Sequence, residues 1–301
     1  MTAITNTEAF YELVPRGADV ERVGTGFTFT EGPIWNAVGG FLLFSDMPGD
    51  VRRRWDPDSG VSEVMRPSNK GNGMTYEVGG SLLVCEHVTS SVVREHADGT
   101  RETIASHFAG KELNSPNDVV VASDGSVYFS DPTFGRMPVF GLERAQDLSF
   151  QGVFRLPSGG GELELLLDYF EQPNGLCFSP GESRLYVNDS SRALIEVFDV
   201  AGDGSLGQGS VFLSGIGTGE VAEGIPDGMK CDELGNVFVT GPGGVWVVDP
   251  AGEVLGLIEV PENVGNLNWG GSDWKTLFIC ASTSLYRIEL AVGGNRLPYM
   301  N

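Results

Sequence analysis

Six times along the chain an acidic or amide residue introduces a strand-sized apolar run, which returns through a short turn as a second apolar run. The clearest copy lies in residues 115–135. Pro116-Asn117-Asp118 leads into Val119-Val120-Val121, Ser123-Asp124-Gly125 makes the turn, and Val127-Tyr128-Phe129 returns to Ser130-Asp131. Short runs of β-branched and aromatic residues flanking an Asp-Gly turn predict a β-hairpin. The other five lead residues are Glu31, Asn72, Asn174, Asp227 and Asn266. Neighbouring leads stand 39 to 57 residues apart. A period of that length, with room for four strands per unit, predicts an all-β, six-bladed β-propeller with a central channel.

The repeat runs almost end to end, so residues 1–301 are expected to form one propeller domain. The last unit runs out of sequence after residues 284–290, its third strand. A strand within residues 20–30 is therefore expected to supply the fourth and close the ring, which removes exposed sheet edges. Residues 1–20 are loosely patterned, residues 140–148 hint at a short helical period, and residues 204–224 read as an irregular glycine-rich stretch. Forty-three glycines and sixteen prolines suit a turn-rich β protein, and 41% hydrophobic residues suffice for its core.

The formal net charge of −22 argues against nucleic acid or an anionic membrane as partner. The N-terminus shows neither the basic nor the apolar region of a signal peptide, and no apolar run is long enough to span a bilayer. A cytoplasmic protein is the expectation; a homo-oligomer is left open. Cys85, Cys177, Cys231 and Cys280 sit inside apolar strand patterns without a Cys-x-x-Cys pair, which predicts buried reduced thiols. No Gly-x-Ser-x-Gly elbow is present, and the glycines at 215–219 do not open a helix after a strand.

In an antiparallel meander the start of strand one and the end of strand two share one end of the blade. The six leads should therefore converge on one mouth of the channel, with Asp46, Glu86-His87, Asp131 and Asn188-Asp189 on the same face further out. Residues 132–152 interrupt the third unit at that face and are placed to lid the mouth. Two carboxylates (Glu31, Asp227) and four amides (Asn72, Asn117, Asn174, Asn266) offer oxygen only. That donor set suits a hard divalent cation, Ca²⁺ first, then Mg²⁺ or Mn²⁺. A plain alternative is that Pro-Asn-Gly and Pro-Asp-Gly are turn tripeptides with no chemistry attached. His87, the histidine on this face, reads either as a substrate contact and proton relay or as a hydrogen-bonded structural residue.

The ordered set Glu31-Gly32-Pro33-Ile34-Trp35, Cys85-Glu86-His87, Asn114-Ser115-Pro116-Asn117-Asp118, Pro173-Asn174-Gly175-Leu176 and Pro226-Asp227-Gly228 resembles the gluconolactonase and regucalcin (senescence marker protein) family, over about residues 20–290. The resemblance implies a divalent metal in the channel, with Glu31, Asn174 and Asp227 as ligands and Asn117 as a fourth ligand or a substrate contact. It implies Asp227 as the catalytic carboxylate, either general base or nucleophile, in the opening of a lactone such as gluconolactone. Asn72, His87 and Asn266 are then candidates for substrate contact, and Zn²⁺ joins the alternatives to Ca²⁺. Ser115 stands where the regucalcin branch carries an arginine, so the bacterial gluconolactonase branch is the nearer one. A phosphotriesterase-like hydrolase and a non-catalytic calcium-binding scaffold are the competing expectations.

Overall fold

Each apolar run of the repeat is a strand, and the strands pair in chain order. The computed structural model describes residues 4–296 and 300. It is a six-bladed β-propeller: six four-stranded antiparallel sheets follow one another around the channel. The first strands of the blades are Thr30–Asn36, Gly71–Tyr76, Val119–Val121, Pro173–Phe178, Met229–Cys231 and Val264–Gly270. The last sheet takes its outer strand from the N-terminal side: Glu21–Thr25 pairs with Ser284–Glu289, with Glu21 opposite Arg287. Burial falls from strand one to strand four. Pro173–Phe178 is buried throughout, whereas the outer strand Gly60–Met65 is mostly exposed.

The core lies between blades, where aromatic residues on neighbouring sheets meet. Trp35 stacks on Phe278 (5.6 Å between centroids), Tyr128 meets Phe178 edge-on (5.1 Å) and Phe238 meets Trp269 (4.9 Å). Stacked and edge-to-face pairs alike add to plain area burial through their ring electrostatics. All four cysteines are free and buried.

Three local readings differ from the sequence-based expectation. Glu8–Leu13 is a helix, capped by Thr7 Oγ1 accepting from Phe10 N–H (3.2 Å), and it buries Phe10 and Leu13. Its single turn of apolar spacing is too short to stand out as periodicity. Residues 140–148 contain no helix; the one regular turn of the insertion is Phe134–Arg136. Ser210–Ser214 is a regular fourth strand inside the glycine-rich stretch. Flanking Gly209 and Gly215 mask it.

Candidate active site

Four of the six leads sit at or beside strand-one bulges, while Asn117 and Asp227 lie just before the first strands of their blades. Pairing registers slip between Glu31 and Ile34, Gly71 and Met74, Pro173 and Leu176, and Val264 and Asn266. A bulge re-aims a side chain out of the alternation, a device common beside active sites. For Pro173-Asn174-Gly175 a bulge within the strand thereby replaces the plain-turn reading. The glycine that follows a lead has a packing reason. A Cβ on Gly32 would lie 2.0 Å from Asn72 O, and one on Gly175 would lie 2.1 Å from Asp227 O. Successive leads are stapled through the backbone: Gly73 N–H donates to Asn117 O (2.8 Å), Gly175 N–H to Asp227 O (3.0 Å) and Ser45 Oγ–H to Asn72 O (3.0 Å).

Five leads, Glu31, Asn72, Asn117, Asn174 and Asp227, line one pocket at this mouth. Burial is the main force raising the Glu31 carboxyl above its ordinary value, against hydrogen bonds from Asn266 Nδ2 and Gly32 N. Burial also raises Asp227, and the neighbouring Glu31 and Asp118 charges push it further. Two mutually opposed carboxyls in one low-dielectric pocket lack a full counter-charge. Lys230, paired with Asp118 at 3.5 Å further along the channel, offsets Glu31 only in part.

Amide oxygens complete the picture. Asn174 donates from Nδ2 to Ser190 Oγ (3.0 Å), which leaves its buried Oδ1 without a partner. Asn72 Oδ1 is likewise buried and unpartnered. Such orphaned acceptors call for an explanation. A cation held by the two carboxylates and the Asn174 amide oxygen would answer the charges and the Asn174 orphan, leaving Asn72 Oδ1 for another hydrogen-bond donor. Among the described residues no cluster of three or more His, Cys, Asp or Glu could hold a metal alone, so the amides are needed to complete any such site.

Asn266 and His87 lie behind the pocket, not on its wall. Asn266 Nδ2 donates to Glu31 Oε2 (3.0 Å), while its Oδ1 accepts from Leu267 N–H (2.8 Å). It orients the carboxylate. His87 is fully buried, with Nδ1 2.9 Å from the Phe140 carbonyl and Nε2 3.2 Å from Asn72 Nδ2. A carbonyl only accepts, so Nδ1 carries the proton. Neutral Nε2 then accepts from the Asn72 amide, which aims Asn72 Oδ1 away from His87. Of the two readings of His87, this geometry matches the structural one.

Burial holds the His87 imidazole down at about 4, against the bond to Phe140 O that favours its charged form. Because the folded value lies below the unfolded one, this group's share of stability is intact above about pH 6.5 and disappears as the pH falls to about 4. The loss is about 3 kcal/mol. His87→Gln is expected to remove that part of the acid slope. Urea unfolding at pH 7 and pH 4 checks it: equal acid losses in parent and variant would refute the assignment.

The strand-two ends on this face are clasps. Asp46 accepts from Thr28 N–H (2.8 Å), Asp131 from Asn114 and Ser115 N–H (2.8 and 2.7 Å), and Asp189 from Glu171 and Gln172 N–H (2.8 and 3.2 Å). Each fixes the chain entering its own blade. The insertion is anchored too. Buried Arg136 donates to the carbonyls of Asn114 (2.6 Å), Leu113 (2.5 Å) and Ala145 (2.8 Å) and pairs with Glu112 (2.9 Å). It thereby carries Phe134 and Phe140 to the pocket wall. The sequence flagged the segment but not these side chains, whose positions depend on distant partners.

A family model described as SMP-30/Gluconolactonase/LRE-like region matches residues 29–283. The chain belongs to this family. Within it, a gluconolactonase of Zymomonas mobilis is 34% identical over 91% of this chain and 82% of its own length. The pentonolactonase XacC of Haloferax volcanii is 27% identical over 85% of this chain and 82% of its own. Among solved structures, a gluconolactonase of Xanthomonas campestris superposes with a TM-score of 0.86, at 32% identity over 96% of this chain and 94% of that one. A regucalcin of Agrobacterium tumefaciens, at 18% identity and a TM-score of 0.73 over 91% and 93%, shares the propeller fold. Among the described residues no helix is long and apolar enough to cross a membrane.

Proposed function

We propose that this pocket hydrolyses a lactone, with sugar aldonolactones such as gluconolactone as the reference substrates, in a site that holds a divalent cation. The observation that carries the reading is the pairing of two buried, mutually opposed carboxyls with unpartnered amide oxygens in one pocket. The relatives named as gluconolactonase and pentonolactonase support the substrate class. Glu31, Asn174 and Asp227 would hold the cation, with Asn117 as a fourth ligand or a contact to the lactone. Oxygen-only donors favour Ca²⁺ over Mg²⁺ or Mn²⁺, and the lack of thiol and imidazole among them disfavours Zn²⁺. When bound, such an ion supplies Lewis-acid polarisation of the ester carbonyl.

The chain's own groups do the rest. Asp227 accepts a proton from water as the water oxygen adds to the carbonyl carbon; in the alternative, its carboxylate attacks that carbon directly. Collapse of the tetrahedral species breaks the ring C–O bond. On the general-base route the leaving alkoxide takes back the proton held by Asp227 and the hydroxy acid is released; on the nucleophilic route the alkoxide takes a proton from water, and a second water hydrolyses the mixed anhydride with Asp227 to release the hydroxy acid. Asn72 offers Oδ1 to a substrate hydroxyl, and Asn266 keeps Glu31 in place.

The test is a pH-indicator assay of gluconolactone opening by chelator-stripped protein, with and without added Ca²⁺. Turnover is expected only with the ion. Ca²⁺ at a hundred times its dissociation constant should also add about 2.7 kcal/mol to unfolding stability. Equal turnover with and without the ion, or a stability indifferent to it, would remove the cation from the reading.

A further inference from the structure

The other side of the pocket has a different chemistry. Phe29, Met47, Phe134, Phe140, Val221 and Ile225 line it together with the five polar leads, and among the described residues no further polar side chain does. These six come from four connections around the mouth, with Phe134 and Phe140 on one and Val221 and Ile225 on another, and the connections are tied down. Phe29 N–H donates to Asp46 Oδ1 (3.4 Å) and Phe29 O accepts from Met47 N–H (3.0 Å). Phe140 is held through its carbonyl by His87 and meets Phe29 edge to face at 6.1 Å. The Val221 carbonyl accepts from Asn263 Nδ2 (3.3 Å), while the residue as a whole remains 59% exposed. An apolar group left open to water at a pocket mouth is available for a ligand to cover.

The polar side is largely spoken for. With Glu31, Asn174, Asp227 and Asn117 assigned to the cation and the ester group, Asn72 Oδ1 is the remaining free acceptor on the pocket wall. A fully hydroxylated aldonolactone carries a hydroxyl or hydroxymethyl group on every ring carbon beyond the carbonyl. Most of these would face phenylalanine, methionine, valine and isoleucine without a partner. An apolar pocket rejects an added hydroxyl only weakly but rewards each methylene it covers.

We infer that the preferred substrate of this pocket is a lactone bearing an apolar ring substituent, alkyl or aryl, seated against Phe140 and Val221 while the ester group faces the oxygen-lined side. The inference rests on the lactone-opening reading above and refines its substrate. Aldonolactones are then accepted but poorer substrates.

The experiment compares kcat/KM of the calcium-loaded protein for δ-decalactone, unsubstituted δ-valerolactone and glucono-δ-lactone, each corrected for spontaneous hydrolysis. δ-Decalactone is expected to exceed δ-valerolactone by at least about tenfold. Val221→Asn and Phe140→Ser should each reduce that ratio at least about threefold. Val221 is mostly exposed, so its variant tests the wall without burdening the fold. A second readout needs no turnover. By calorimetry, the inert 6-pentyl δ-lactam should bind at least about tenfold tighter than δ-valerolactam, with a negative heat-capacity change. If gluconolactone is opened but the pentyl chain improves neither turnover nor binding, the substituent inference is overturned and lactone opening stands. If the folded, calcium-loaded protein opens none of the three, the lactone reading fails and the inference falls with it.

Discussion

Asp227→Asn is expected to open lactones about a thousandfold more slowly than the parent at saturating Ca²⁺. The substitution keeps an oxygen at the same place and removes the proton acceptor. The main chain should not move, because its anchors do not involve the side chain. Asp227 N–H donates to Thr240 Oγ1 (2.8 Å), and Asp227 O accepts from Gly175 N–H (3.0 Å) and Asn188 Nδ2 (2.6 Å). Calorimetry with Ca²⁺ should show weaker but measurable binding, so that the ion can be raised until kcat no longer changes. A kcat within tenfold of the parent under those conditions would sink the catalytic role. The parent protein separates the two routes open to the carboxylate. Repeated turnover in ¹⁸O-water labels the Asp227 carboxyl only if that group attacks the carbonyl; a general base leaves the label in the product alone.

The propeller and the polar half of the site were legible because their signals are local. A lead residue, its glycine and the following apolar run sit within a few positions of each other, and the hairpin returns after one short turn. Repetition then places the leads together without any knowledge of side-chain conformation. What the glycines are for was less legible. Pro-Asn-Gly reads as a turn on its own, and the bulge appears only when the next blade's carbonyl is in place beside Gly175.

The supporting shell was harder to read for the same reason. His87 reads as a histidine on the active face, yet its role is set by Phe140, 53 residues away, and by Asn72 in front of it. Asn266 reads as an equal member of the ring, but its amide turns to Glu31, 235 residues distant in sequence. The apolar wall left no pattern at all. Phe29, Phe140 and Val221 belong to loops whose course is dictated by Asp46, Arg136 and Asn263. On the proposed reading, substrate choice lies in the part of the molecule where residue order says least, while the proposed reacting groups lie where it says most.

Gly175→Ala should be a strongly disruptive single-methyl change near the site. The added Cβ would lie 2.1 Å from Asp227 O, 2.9 Å from Met229 N and 2.9 Å from Asn188 Nδ2. Two of those atoms are backbone of the adjacent blade, so no rotamer change relieves the contact. The fourth and fifth blades must part, which stretches the bond from Gly175 N–H to Asp227 O (3.0 Å) and displaces Asp227 from Glu31. Overpacking of this kind costs about 3 kcal/mol. The expected result is a drop of that size in urea unfolding, together with lost Ca²⁺ affinity and turnover. Gly202→Ala is the control, since nothing lies within 4 Å of its Cβ, and its stability should stay within about 0.5 kcal/mol of the parent. Should Gly175→Ala match that control in both stability and Ca²⁺ binding, the glycine would not be needed for the approach of the two blades. The bulge alone would then have to account for the direction in which Asn174 points.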